Sequence, residues 1–455
     1  MALYKLGLWA SLWATFHTAA AKLDLNSQTN IAIYWGQNSH GASTGLAAQQ
    51  RLSYYCQNAD IDVFQLAFVT RINGANGLPE VNFANAGDNC TTFEGTNLLS
   101  CPQIEEDIPI CQSLGKTILL SIGGATYTEG GFTSESAAIA GANSVWQTFG
   151  PPSNNPSTLR PFGKAAVDGF DLDFESPVAN MPAFANQLRS LFSSDPSKQY
   201  YLTAAPQCPY PDAADGPMLD GAVSFDAIWV QFYNNYCGLQ AYNPGSTSQN
   251  NFNFATWDTW AKSVSRNKNV KVFLGVPGSS TAAGSGYVSV EALAQIIAYT
   301  KGFSSFGGVM AWDVSQVMAN SGFLAGVRAA LGSGSGSGSG STTVSPTTAS
   351  TTTSTSTPTT TTSSTTSAPT TSTSVTTTST TSSTTTTSST TAPTGSCPTA
   401  GARCSGGGAA CNGASFGLCD NGVWVMQPCP GGLVCIQGGA GVYCGYPADK
   451  PAGSC

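Results

Sequence analysis

Three carboxylates set two residues apart are the first feature of this sequence that could do chemistry. They stand in the stretch Asp168-Gly-Phe-Asp-Leu-Asp-Phe-Glu175, where Asp171, Asp173 and Glu175 alternate with Phe170, Leu172 and Phe174. In a β-strand, residues i, i+2 and i+4 share one face. The spacing puts an acidic row on one face and three apolar side chains on the other. A solvated acidic edge is the competing reading, but the apolar opposite face argues for a strand inside a sheet. Carboxylates crowded on an inward face are costly to bury unless their protons are shared or used. The row is therefore a candidate for acid–base work.

Other chemistries find few residues. The chain has two histidines, His17 and His40. His17 falls in a leader-like segment, so mechanisms and zinc sites that need a pair of histidines are out. A Ser-His-Asp triad would have to use His40, which stands in a Gly/Ser-rich stretch. SIGG (121–124) is too short to cradle a phosphate, and the cysteines read better as disulfides than as zinc ligands. What remains is carboxylate chemistry, with a carboxylate metal site as its rival. Neither a metal nor a cofactor is expected. Glycoside hydrolysis needs one carboxylic acid to protonate the leaving oxygen, and usually a second carboxylate across the sugar. Carboxylates along one strand all approach from one side. A sugar with a 2-acetamido group removes the difficulty, because its own carbonyl oxygen can attack the anomeric carbon.

These residues need elements to hold them. From Lys22 to Leu331 eight strand-like runs alternate with longer segments: 31–36, 63–69, 118–124, 169–175, 201–206, 227–234, 271–278 and 308–314. Helix-like stretches such as AFANQLRSLF and VEALAQIIAYT stand between some of them. The pattern predicts an α/β fold, a parallel (β/α)8 TIM barrel. Catalytic groups of such barrels sit at the C-terminal strand ends, and Glu175 closes the fourth run. The short gap between the last two runs leaves no room for an inserted domain, so an open cleft is expected.

The whole chain has 455 residues, a net charge of −8 and only 9% charged residues. A charge-poor, acidic surface argues against nucleic acid as a partner. Lys5, the apolar LGLWASLWATF and the small residues up to Ala21 read as a secretory leader over 1–21 rather than a membrane span. No other run is long and apolar enough to cross a bilayer, and DKPAGSC at the end lacks a lipid-anchor tail. Secretion suits the 14 cysteines. Six lie before residue 240 and eight after 396, so each set can pair completely. Asn89-Cys90-Thr91 is a glycosylation sequon. Residues 332–396 are mostly Gly, Ser, Thr and Pro with almost nothing apolar to bury, and read as a disordered linker. Residues 397–455 form a small module too short for a strong core and held by disulfides. Its Phe416, Trp424, Tyr443 and Tyr446 serve either as a miniature core or as faces for sugar rings.

The motif DGFDLDFE resembles the DxxDxDxE signature of family 18 glycoside hydrolases, the chitinases. SIGG, QFYNN (231–235) and GGVMAWD (307–313) resemble that family at three further strand ends, and YWGQN (34–38) is similar to its plant-type and fungal endochitinase subgroup. The resemblance covers nearly all of 22–331. It implies a monomeric enzyme that cleaves chitin or N-acetylglucosamine oligomers with retention, unattached to any membrane. It implies Glu175 as general acid and then base, and Asp173 as stabiliser of the oxazolinium-like intermediate. Asp171 would share a proton with Asp173, and Tyr233 would hold the acetamido carbonyl with Gln231 beside it. Trp312 would form the floor under the reacting sugar, and Tyr34 would line the same subsite. CDNGVWVMQPCPGGLVC resembles small fungal chitin-binding modules of carbohydrate-binding family 19, which implies sugar contacts at Trp424 and Tyr443. The same barrel also serves non-catalytic lectins, and the same mechanism serves endo-β-N-acetylglucosaminidases acting on N-glycans.

Overall fold

The computed structural model describes residues 23–45, 47–153, 155–332, 397–404, 409–420, 423–428, 434–438 and 441–445. The leader over 1–21, the linker from 333 to 396, Tyr446 and the Tyr443 side chain lie outside the described residues. The described residues fall into two compact units, one before and one after position 337.

The first unit is the expected barrel. Its strands are β1 (Asn30–Trp35), β2 (Val63–Arg71), β3 (Thr117–Gly123), β4 (Gly169–Asp173), β5 (Tyr201–Ala204), β6 (Ala227–Gln231), β7 (Lys271–Pro277) and β8 (Phe306–Trp312). Each pairs in parallel with the next, and β8 pairs with β1 to close the ring. All eight runs read from the sequence are strands. They carry apolar residues on both faces because both faces are covered. One face packs under helices and the other fills the barrel, where Tyr34, Leu119, Trp229, Phe273 and Met310 meet.

The helices follow the same logic. Met181–Ser194 buries Met181, Phe184, Leu188 and Phe192, and Val290–Thr300 buries Leu293, Ile296, Ile297 and Thr300. These spacings of three and four residues put one apolar stripe against the sheet. Ser289 caps the second helix by accepting from the Ala292 N–H. Among the described residues no helix is long and apolar enough to cross a membrane. The six cysteines of this unit pair as Cys56–Cys111, Cys90–Cys101 and Cys208–Cys237. The last pair ties the segment after β5 to the segment after β6, at the end of the barrel where β4 presents its carboxylates.

The second unit has a three-stranded antiparallel sheet, Ala409–Asn412, Ser415–Asp420 and Val423–Pro428. A hairpin of Val434–Gly438 and Gly441–Gly445 accompanies it. Cys411–Cys435 links sheet to hairpin. Trp424 is half-buried on the sheet.

Candidate active site

The acidic row is real but shorter in the sheet than the alternation suggests. β4 ends at Asp173, and Glu175 stands in a bend two residues beyond it. Asp171 is 0% exposed and Asp173 3%, whereas Glu175 is exposed. The row therefore climbs from the sealed interior of the barrel to an accessible rim.

Asp171 is at the bottom and is surrounded by donors. Register places Ser121 of β3 and Thr203 of β5 beside it on the two flanking strands. Ser121 Oγ and Tyr34 Oη each donate to Oδ2 at 2.7 Å. Thr203 Oγ1 donates to Oδ1 at 2.6 Å and Trp229 Nε1 at 2.8 Å. Burial raises the Asp171 carboxyl above its ordinary value, and these four donors pull it back. Four side chains thus donate to the two oxygens of Asp171.

Asp173 is pushed much further up. Burial is the first cause, then the charges of Glu175 and Asp171, and only Gln231 opposes them with a side-chain bond. Gln231 Nε2 donates to Asp173 Oδ1 at 3.0 Å and to the Ala205 carbonyl at 2.9 Å. Burial and the two neighbouring charges both favour the protonated form of Asp173. The backbone here is tight as well. Gly123 has φ 126°, and a Cβ on it would lie 2.1 Å from the Asp173 carbonyl oxygen. The SIGG glycine is needed for β3 to end against β4, and its phosphate-loop reading is out.

Glu175 is reachable from solvent yet ringed by protein, and this desolvation raises its carboxyl to about 6. A carboxyl near that value can give a proton and take it back at mildly acidic pH.

Tyr233 follows β6 and Trp312 ends β8, at the C-terminal end of the barrel where the row emerges. Tyr233 is 7% exposed, and among the described residues its hydroxyl has no protein partner, so it is free to donate to a ligand. Burial, then Asp173 and Glu175, keep that hydroxyl protonated. Trp312 is half-buried and stacks on Phe68 with ring centroids 5.9 Å apart. Tyr34 is a correction. It is 1% exposed, packs under Trp312 at 5.4 Å and spends its hydroxyl on Asp171. It packs against Trp312 and holds the lowest acid from beneath, too deep to line a sugar subsite.

Sequence reasoning missed Ser121, Thr203, Trp229 and Phe68. Ser121, Thr203 and Trp229 carry a signal in retrospect: each falls on the inward phase of its strand. Finding it required the register between strands, which local alternation does not supply.

A closed parallel barrel with a row of acids of raised proton affinity climbing to its C-terminal rim is an architecture suited to carboxylate-catalysed hydrolysis. The family model for Glycosyl hydrolases family 18 matches residues 30–287. The chain belongs to that family. It is 52% identical over 324 residues to a class III chitinase of Arthroderma benhamiae, covering 71% of this chain and 92% of that protein. It is 50% identical to endochitinase 33 of Trichoderma harzianum, covering 71% of this chain and 98% of that one. Among solved structures, a chitinase from Ipomoea carnea superposes with TM-score 0.53 at 26% identity, over 66% of this chain and 99% of that one. A xylanase and α-amylase inhibitor protein from Scadoxus multiflorus gives TM-score 0.53 at 29% identity, over 66% and 97%.

Proposed function

We propose that this protein is an endo-acting chitinase that hydrolyses β-1,4 bonds between N-acetylglucosamine units with retention. The observation that carries the reading is the graded row: Glu175 exposed with its carboxyl raised to about 6, Asp173 buried below it with its carboxyl raised well above the ordinary value, and Asp171 held by four donors beneath both. Relatives named as chitinases at 50% identity and above support the substrate.

In this mechanism Glu175 gives its proton to the glycosidic oxygen as the bond to the leaving sugar breaks. The acids of the row all rise along one strand and approach the sugar from one side, so the acetamido carbonyl of the same sugar attacks the anomeric carbon. Tyr233 donates to that carbonyl and Gln231 steadies Asp173, which turns to the acetamido N–H. Trp312 carries the apolar face of the ring. Glu175, now ionised, takes a proton from water as it opens the cyclic intermediate. Attack twice on the anomeric carbon retains configuration.

In this reading the barrel over 22–331 acts as a monomer. The leader over 1–21 and the paired cysteines support secretion. Residues 397–455 hold the enzyme on insoluble chitin through the 332–396 tether, with Trp424 and Tyr443 as contacts, which raises local concentration. The test is hydrolysis of a soluble N-acetylglucosamine oligomer, with the anomer followed by proton NMR in the first minutes. Initial release of the β-anomer supports the proposal. Initial α-anomer rules out the substrate-assisted route, and an intact oligomer rules out the activity.

A further inference from the structure

The turn after β6 contains an asparagine in a left-handed backbone state: Asn234 has φ 58°. Asparagine enters this region more readily than most residues because its short polar side chain bonds locally. Here it bonds across to another loop. Asn234 Oδ1 accepts from the Gly284 N–H at 2.8 Å and the Ser285 N–H at 3.3 Å. The Asn234 N–H donates to the Ser285 carbonyl at 3.1 Å. Three hydrogen bonds thus fasten the residue after Tyr233 to the loop that follows β7. The next loop residue, Gly286, lies against Tyr233 itself. A Cβ on Gly286 would sit 2.6 Å from Tyr233 Cα.

The same loop is anchored at its other side to β8 and the helix after it. The Gly278 N–H donates to the Trp312 carbonyl at 2.7 Å, and the Thr281 hydroxyl donates to Gln316 Oε1 at 2.8 Å. One loop therefore braces the backbones of both Tyr233 and Trp312. Among the described residues neither side chain makes a hydrogen bond of its own; Trp312 is seated by its ring contacts with Phe68 and Tyr34, and the position of the Tyr233 ring depends on its braced backbone.

We infer that Asn234 is a positioning residue: by clamping the 284–286 segment it fixes the Tyr233 hydroxyl at the place where the acetamido carbonyl must be aimed. The inference rests on the substrate-assisted reading above. Aim matters there because the nucleophile is part of the substrate, and a displacement of about 1 Å costs on the order of a hundredfold in rate.

The test uses the full chain and a soluble N-acetylglucosamine oligomer. Asn234→Gly keeps the left-handed backbone accessible and deletes the acceptor; Asn234→Asp keeps an acceptor. The expected result is a fall in kcat of about tenfold for Asn234→Gly, with KM and melting temperature near wild type, and kcat within about threefold for Asn234→Asp. In a Tyr233→Phe background Asn234→Gly adds no further loss, because two residues acting through one contact are not additive. An Asn234→Gly enzyme as active as wild type overturns the inference, and so does an undiminished loss in the Tyr233→Phe background. Should Asn234→Gly fail to fold, Gly286→Ala takes its place in the same cycle, with a loss that vanishes in the Tyr233→Phe background expected and an equal loss in both overturning it. A wild type that leaves the oligomer intact overturns the underlying reading as well, whereas an active wild type beside an unaffected Asn234→Gly overturns this inference alone.

Discussion

Two groups of buried acids follow consecutive strands of the barrel, and they behave differently. The first is the β4 row. The second is the pair Asp212 and Asp215, in the segment after β5. Asp212 accepts backbone N–H groups from Gln207 at 3.0 Å, Ala214 at 2.9 Å and Asp215 at 2.6 Å. Asp215 is 0% exposed, and neither of its carboxyl oxygens has a partner among the described residues. Burial, then Asp212 and the three β4 acids, hold it well above the usual carboxylate range. Burial is the first cause of the shift in both groups. What separates them is a route outward: the β4 row ends in an exposed carboxyl, and Asp215 is sealed. A raised proton affinity marks a candidate, and access makes it an acid that can work.

That contrast can be broken by substitution. Glu175→Gln removes the proton donor without changing shape, and kcat on a soluble oligomer should fall by about a hundredfold to ten-thousandfold while oligomer binding persists. The pH profile is the next largest effect. Glu175 must carry its proton to act as the acid, so activity is full below about 6 and falls as pH rises through that value. An alkaline limb near the ordinary carboxylate range would deny the desolvation described for this group.

The barrel and the acidic row were legible in the sequence because both depend on local alternation. The eight runs needed only apolar phase, and Asp171, Asp173 and Glu175 needed only a spacing of two. The surroundings of those acids were not legible. Tyr34, Ser121, Thr203 and Trp229 come from β1, β3, β5 and β6, and only the closure and register of the barrel bring them to one carboxylate. The same holds for Tyr34, whose aromatic type suits a sugar face but whose depth rules that out. Asp215 sits in PDAADG, where no periodicity says that it is buried. The brace on Tyr233 joins residues some fifty positions apart in sequence.

Smaller effects sharpen the contrast. Tyr34→Phe removes one of four donors to Asp171, which should lower stability by about 1–3 kcal/mol and leave oligomer KM near wild type; a large rise in KM would restore Tyr34 to the sugar subsite. Asp215→Asn tests the sealed acid. Its raised proton affinity in the fold means that its contribution is fully present below the ordinary carboxylate value and is lost as pH rises. A side chain that cannot ionise escapes this loss. Asp215→Asn should therefore gain melting temperature over wild type at about pH 7 and little at about pH 4. A gain at the lower pH alone would reverse the sign and refute the assignment.

The most direct measurement is a paired assay of Glu175→Gln and Asp215→Asn against wild type, on one soluble N-acetylglucosamine oligomer, with binding measured beside hydrolysis. If access to the cleft decides which perturbed acid works, Glu175→Gln binds without cleaving and Asp215→Asn cleaves as wild type does. Cleavage by Glu175→Gln at the wild-type rate would contradict the central claim.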